Sequence, residues 1–108
     1  MSNMDANQIT DEGVKHLENW LIENAYSNIV IERFEAGEAD IHAKGSTENI
    51  IVKIKTVLYP DEKAGLSRTD VFALKELATR LEKIAYVACI VIDKDKKLIG
   101  EIVWERLN

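Results

Sequence analysis

Apolar residues recur at helical spacing from Val14 through Leu17 to Leu21, so residues 10–25 read as a first helix. Thr10 or Asp11 supplies its cap, acids occupy its first turn, and it is expected to end near Asn24. The pattern then changes. Residues 27–34, rich in β-branched side chains and partly alternating, predict a strand, and residues 39–44 predict a second one after the turn at Glu35-Ala-Gly37.

Turn chemistry from Lys44 to Asn49 leads into a third strand over 50–57, which alternates with a period of two. Ile50, Val52 and Ile54 fall on one face, with Ile51, Lys53 and Lys55 on the other, which predicts a sheet with one covered face. After a loop holding the only proline, Pro60, the spacing Ser67-Arg-Thr-Asp70 predicts a capped helix over 70–83. Val71, Leu74, Leu77, Ala78 and Leu81 form its apolar stripe. This helix is expected to lie across the face that carries Ile50, Val52 and Ile54.

Residues 86–92 are almost continuously apolar, as in a strand buried on both faces, and the turn at 93–97 leads to a last strand over 98–104. The order is helix, three strands, helix, two strands. A right-handed crossover through the second helix then gives an α+β domain, a mixed five-stranded sheet flanked by two helices. One domain spans 1–108, with residues 1–9 extended or disordered.

Composition narrows the function. The chain has 108 residues, 46% of them hydrophobic and 31% charged, which fits one core. The net charge of −5 opposes nonspecific attraction to phosphate backbones, so nucleic-acid binding needs a local site. No apolar run approaches the roughly 20 residues of a membrane span, and no secretory signal is visible, so a cytoplasmic protein without a membrane partner is expected. The single cysteine, Cys89, lies in an apolar run and reads as a small core residue.

Two stretches carry chemistry, Gly37-Glu-Ala-Asp-Ile-His-Ala43 and Ile50-Ile-Val-Lys-Ile-Lys-Thr56. In these motifs and in element order the chain resembles the restriction endonuclease-like, or PD-(D/E)XK, nuclease superfamily, and within it small members such as the archaeal Holliday junction resolvases. That family places an aspartate early in the second strand, then an acid and a lysine two apart near the end of the third, often followed by Ser or Thr. Asp40, Lys55 and Thr56 match; Lys53 stands where the second metal-binding acid belongs. The glutamate that the family often carries on its first helix falls near Val14.

The resemblance therefore implies Asp40, Lys55, Lys53 and Glu38 as the catalytic positions, with Asp40 and Glu38 as the candidate metal ligands. Magnesium prefers oxygen ligands in near-octahedral geometry, and an ammonium at Lys53 repels it, so no cofactor or only weakly bound Mg²⁺ is expected. Two readings follow: a catalytically degenerate nuclease-fold module that binds a protein or nucleic-acid partner, or a Mg-dependent DNA endonuclease rearranged onto Glu38, Asp40 and Lys55. The resemblance also makes a homodimer an expectation. Cross-strand charge pairing, worth roughly 0.2 to 1 kcal/mol per pair, is the plainer account of the same residues. His42 shares the Asp40 face, while Trp20, Trp104 and Tyr59 read as core or interface residues.

Overall fold

The computed structural model describes residues 4–33, 39–61 and 66–108. The elements are α1 (Ala6–Glu23), β1 (Ser27–Arg33), β2 (Ala39–Lys44), β3 (Asn49–Leu58), α2 (Arg68–Arg80), β4 (Ile84–Ile92) and β5 (Val103–Arg106). They form one five-stranded mixed sheet in the order β1-β2-β3-β4-β5. The first three strands are an antiparallel meander, β4 runs parallel to β3, and β5 is antiparallel to β4. A parallel neighbour needs a crossover, and α2 provides it.

Helix α1 starts at Ala6, not Thr10, so much of the expected N-terminal extension is helical. Its cap is Asp5, whose side chain accepts from the Gln8 amide while the Gln8 side chain accepts from the Asp5 amide, a reciprocal capping box. Thr10 is instead buried one turn inside. With Gly13, Val14, Leu17 and Leu21 it forms the stripe that meets the sheet.

The two helices cover opposite faces. Val14, Leu17 and Leu21 of α1 pack with Ile50, Val52, Ile54, Ala88, Ile90 and Ile92 in the main core. Leu74 and Ala78 of α2 pack with Ile51 and Ala85 on the other side. This corrects two expectations: α1 rather than α2 lies over Ile50, Val52 and Ile54, and the Ile51 face is covered at one end instead of open. Helix α2 also ends sooner than expected, with Leu81 as its C-cap, Glu82 left-handed at φ 56°, and the Leu81 side chain exposed. Ser67 caps its start as the spacing predicts, accepting from the Asp70 amide.

Close approaches fix α1 and the β2–β3 turn. A Cβ at Gly13 would lie 1.8 Å from Thr56 Oγ1, so glycine is what lets α1 settle onto β3. At Gly45 a Cβ would fall 2.8 Å from the Tyr26 ring. The Tyr26 and Tyr86 hydroxyls both donate to Glu48 Oε1, at 3.3 and 3.4 Å. Burial first and the Glu48 carboxylate next hold both phenols above their ordinary pKa.

The last strand is shorter than expected. Residues 98–102 make only an isolated bridge, Leu98 to Ile92, and regular pairing begins at Val103. Asp93 shapes the preceding turn by accepting from the Asp95 and Lys97 amides. Cys89 lies on the α2 side of β4 and is half-buried where a small buried core residue was expected. Neither helix is long and apolar enough to cross a membrane.

Candidate functional site

The alternation of β2 places Ala39, Ile41 and Ala43 in the main core and turns Asp40 and His42 to the α2 side of the sheet. In β3 the same rule turns Ile51, Lys53 and Lys55 to that side. Register then decides which groups meet. Asp40 stands directly opposite Lys53 on β3 and opposite Glu32 on β1, and Lys53 Nζ lies 3.4 Å from Asp40 Oδ1. Both side chains are nearly enclosed, 10% and 14% exposed. They line a small cavity of about 140 Å³ whose far wall is α2, through Asp70, Ala73, Leu74 and Leu77.

Burial is the largest influence on Asp40 and raises its pKa above the ordinary carboxyl value. The Lys53 charge and hydrogen bond pull the other way, Glu32 adds to the rise, and His42 opposes it. The net direction is upward, so the ammonium does not fully offset desolvation of the carboxylate.

A second set of contacts adjoins this pair. His42 Nε2 is 2.7 Å from Glu32 Oε1, and its Nδ1 is 2.8 Å from Lys83 Nζ. The geometry suits the Nε2–H tautomer: the Lys83 ammonium donates to Nδ1, and Nε2–H donates to Glu32. The charged side chains of β1, β2, β3 and the entry to β4 thus engage one another across the sheet.

Other positions marked by the motif are distributed differently. Lys55 lies two residues beyond Lys53 on the same face and is paired in register with Cys89. Thr56 is on the opposite face beneath Gly13, and its buried hydroxyl has no hydrogen-bond partner among the described residues. Val14 is in the main core, so the helix position matched to the family's glutamate faces away from Asp40. Glu38 lies outside the described residues, as does the Glu35-Ala-Gly37 turn.

Glu32, Lys83 and Asp70 were not singled out by the motif. The β1 alternation that sets Glu32 two residues after Val30 was a usable signal for the first; Lys83 and Asp70 reach this face only through the crossover.

This donor set does not suit magnesium. Two described carboxylates, Asp40 and Asp70, border the cavity, and an ammonium stands 3.4 Å from one of them. Among the described residues no group of three or more His, Cys, Asp or Glu side chains is placed to hold a metal ion. No protein-family model matches the chain, and no curated protein matches it.

Proposed function

We propose that this chain is a nuclease-fold module that has lost phosphodiester hydrolysis and acts by binding a partner. The observation that carries the reading is the placement of Lys53 directly across from Asp40 at 3.4 Å, where the resemblance calls for a second metal-binding acid. The mixed sheet with its meander, crossover helix and opposed helices supports it, because that element order is what the resemblance implies. An ammonium stabilises negative charge but carries no coordinated, deprotonated water at neutral pH, so Lys53 replaces a ligand without replacing its chemistry. The net charge of −5 favours a protein over a nucleic acid as the partner.

The test is cleavage of linear duplex, supercoiled plasmid, single-stranded DNA and a four-way junction with magnesium or manganese, beside Asp40→Ala purified in parallel. No cleavage is expected. Cutting by the wild type that disappears in both Asp40→Ala and Lys55→Ala would instead establish the Mg-dependent endonuclease built on Glu38, Asp40 and Lys55. Calorimetric titration adds a gain-of-function arm: Lys53→Glu exchanges repulsion for an oxygen ligand and should bind Mg²⁺ or Mn²⁺ more tightly than the wild type. Equal or weaker binding by Lys53→Glu would mean that position 53 does not face a metal site.

A further inference from the structure

A cavity of about 590 Å³ opens between the C-terminal half of α1 and the segment leading into β5. It lies on the α1 side of the sheet, opposite Asp40 and Lys53, and does not depend on the reading given above. From α1 come His16, Asn19, Trp20 and Glu23, one stripe at helical spacing, and from the other wall come Glu101 and Trp104 among others.

Three properties of this cavity agree. The Trp20 and Trp104 rings meet at 4.7 Å between centroids and are only half-buried, so indole surface borders the opening. Glu23 and Glu101 are exposed and, among the described residues, neither takes part in an ion pair. The last turn of α1 carries no basic side chain, so the partial negative charge of the helix end adds to Glu23 instead of being offset. The His16 ring is tied to the turn before β5, its Nε2 lying 2.9 Å from the Lys96 carbonyl oxygen.

Indole faces, two carboxylates and a helix C-terminus together select a cation and repel phosphate. A planar guanidinium fits them better than an ammonium, because it stacks on an indole while its fork reaches carboxylate oxygens. Half-buried Leu98 and Ile102 in the same wall add apolar surface that suits the aliphatic stem of an arginine carried on a polypeptide better than a small amine. We propose that this cavity receives an arginine side chain from a basic segment of a partner protein.

The two tryptophans of the cavity are the only two in the chain, so tryptophan emission, excited at a wavelength the three tyrosines do not absorb, reports on this site alone. The experiment titrates the full chain at low salt with a capped Gly-Arg-Gly-Arg-Gly peptide. Its range extends to about 10 mM, beyond the Kd near 1 mM that a cation–π contact with charge-assisted bonds can supply. A saturable fluorescence change is expected, weakened about tenfold in Glu23→Gln/Glu101→Gln through loss of both ion pairs, and weaker with lysine in place of arginine. Both substitutions are at exposed positions, and circular dichroism verifies that the variant is folded. The assignment is overturned by no saturable change, by equal affinity in the double variant, or by an equal response to a glutamine peptide. Spermidine or free arginine amide binding as tightly as the peptide would overturn the protein partner in favour of a small-amine site.

Discussion

The two faces of the sheet are held by different physics. Under α1 the sheet contributes an unbroken apolar surface, with Ile50, Val52, Ile54, Ile90 and Ile92 almost inaccessible. Under α2 the buried apolar cluster shrinks to Ile51, Leu74, Ala78 and Ala85, with Leu77 and Leu107 packed against it, and charged side chains stand beside it. Stability therefore resides mainly on the first face, where burial is worth roughly 25 cal/mol per Å², while the second is free to vary in charge at smaller cost. The Asp40–Lys53 pair is on the face that folding needs less.

The sharpest way to break this contrast is Val52→Asp, which buries an unpaired carboxylate in the main core. The domain is expected to lose its cooperative thermal transition by circular dichroism; an unchanged melt would place Val52 on the surface. Next in size is Gly13→Ala, where overpacking against Thr56 outweighs the gain in helix propensity. A loss of about 1–3 kcal/mol in urea denaturation is expected.

On the charged face Lys53→Met leaves the nearly enclosed Asp40 carboxylate without its cross-strand ammonium, at a cost of roughly 1–3 kcal/mol. The double substitution Asp40→Leu/Lys53→Met should recover to within about 1 kcal/mol of the wild type, since apolar replacement of a whole buried pair is close to neutral. Additive losses in that double-mutant cycle would mean that the two side chains do not interact.

The smallest effect is one of pH. Because the folded pKa of Asp40 is raised, the native state holds this proton more tightly than the unfolded chain. This contribution to stability is present below the ordinary carboxyl value of about 4 and is lost as pH rises through the folded pKa. Asp40→Asn removes the loss, so the variant should gain on the wild type as pH increases from 4. A difference that stays flat across that window would show that burial does not govern Asp40.

Much of this arrangement was readable along the chain. The turn at Glu35-Ala-Gly37 located β2 to the residue, period-two alternation located β3 to within one at each end, and the Ser67-Arg-Thr-Asp70 spacing located the cap of α2. The Asp5-Ala-Asn-Gln8 box was present too, but Thr10 beside acids offered a competing start, and only the tertiary burial of Thr10 decides between them. The face taken by each helix was not readable, because alternation separates two faces without saying which helix covers either. Lys53 and Lys55 made one face look solvent-bound, although Ile51 on that face is buried beneath Leu74 and Ala78. At the site, sequence placed Asp40 and Lys53 on facing strands; their opposition to one another depends on register, and the Lys83–His42 contact depends on a chain crossover that local patterns do not encode.

The first strand has one more consequence, for solubility. As the outermost strand β1 has, among the described residues, an unpaired row of backbone donors and acceptors, the kind of edge on which other chains can stack into fibrils. Between Ser27 and Val30 its register shifts, with Asn28 in the left-handed region at φ 51°. Such an irregularity bends the edge out of line, and Glu32 and Arg33 place charge of both signs beyond it. A neighbour adding there would meet a ladder interrupted after its first rung, so the meander can expose an edge without becoming a template for aggregation.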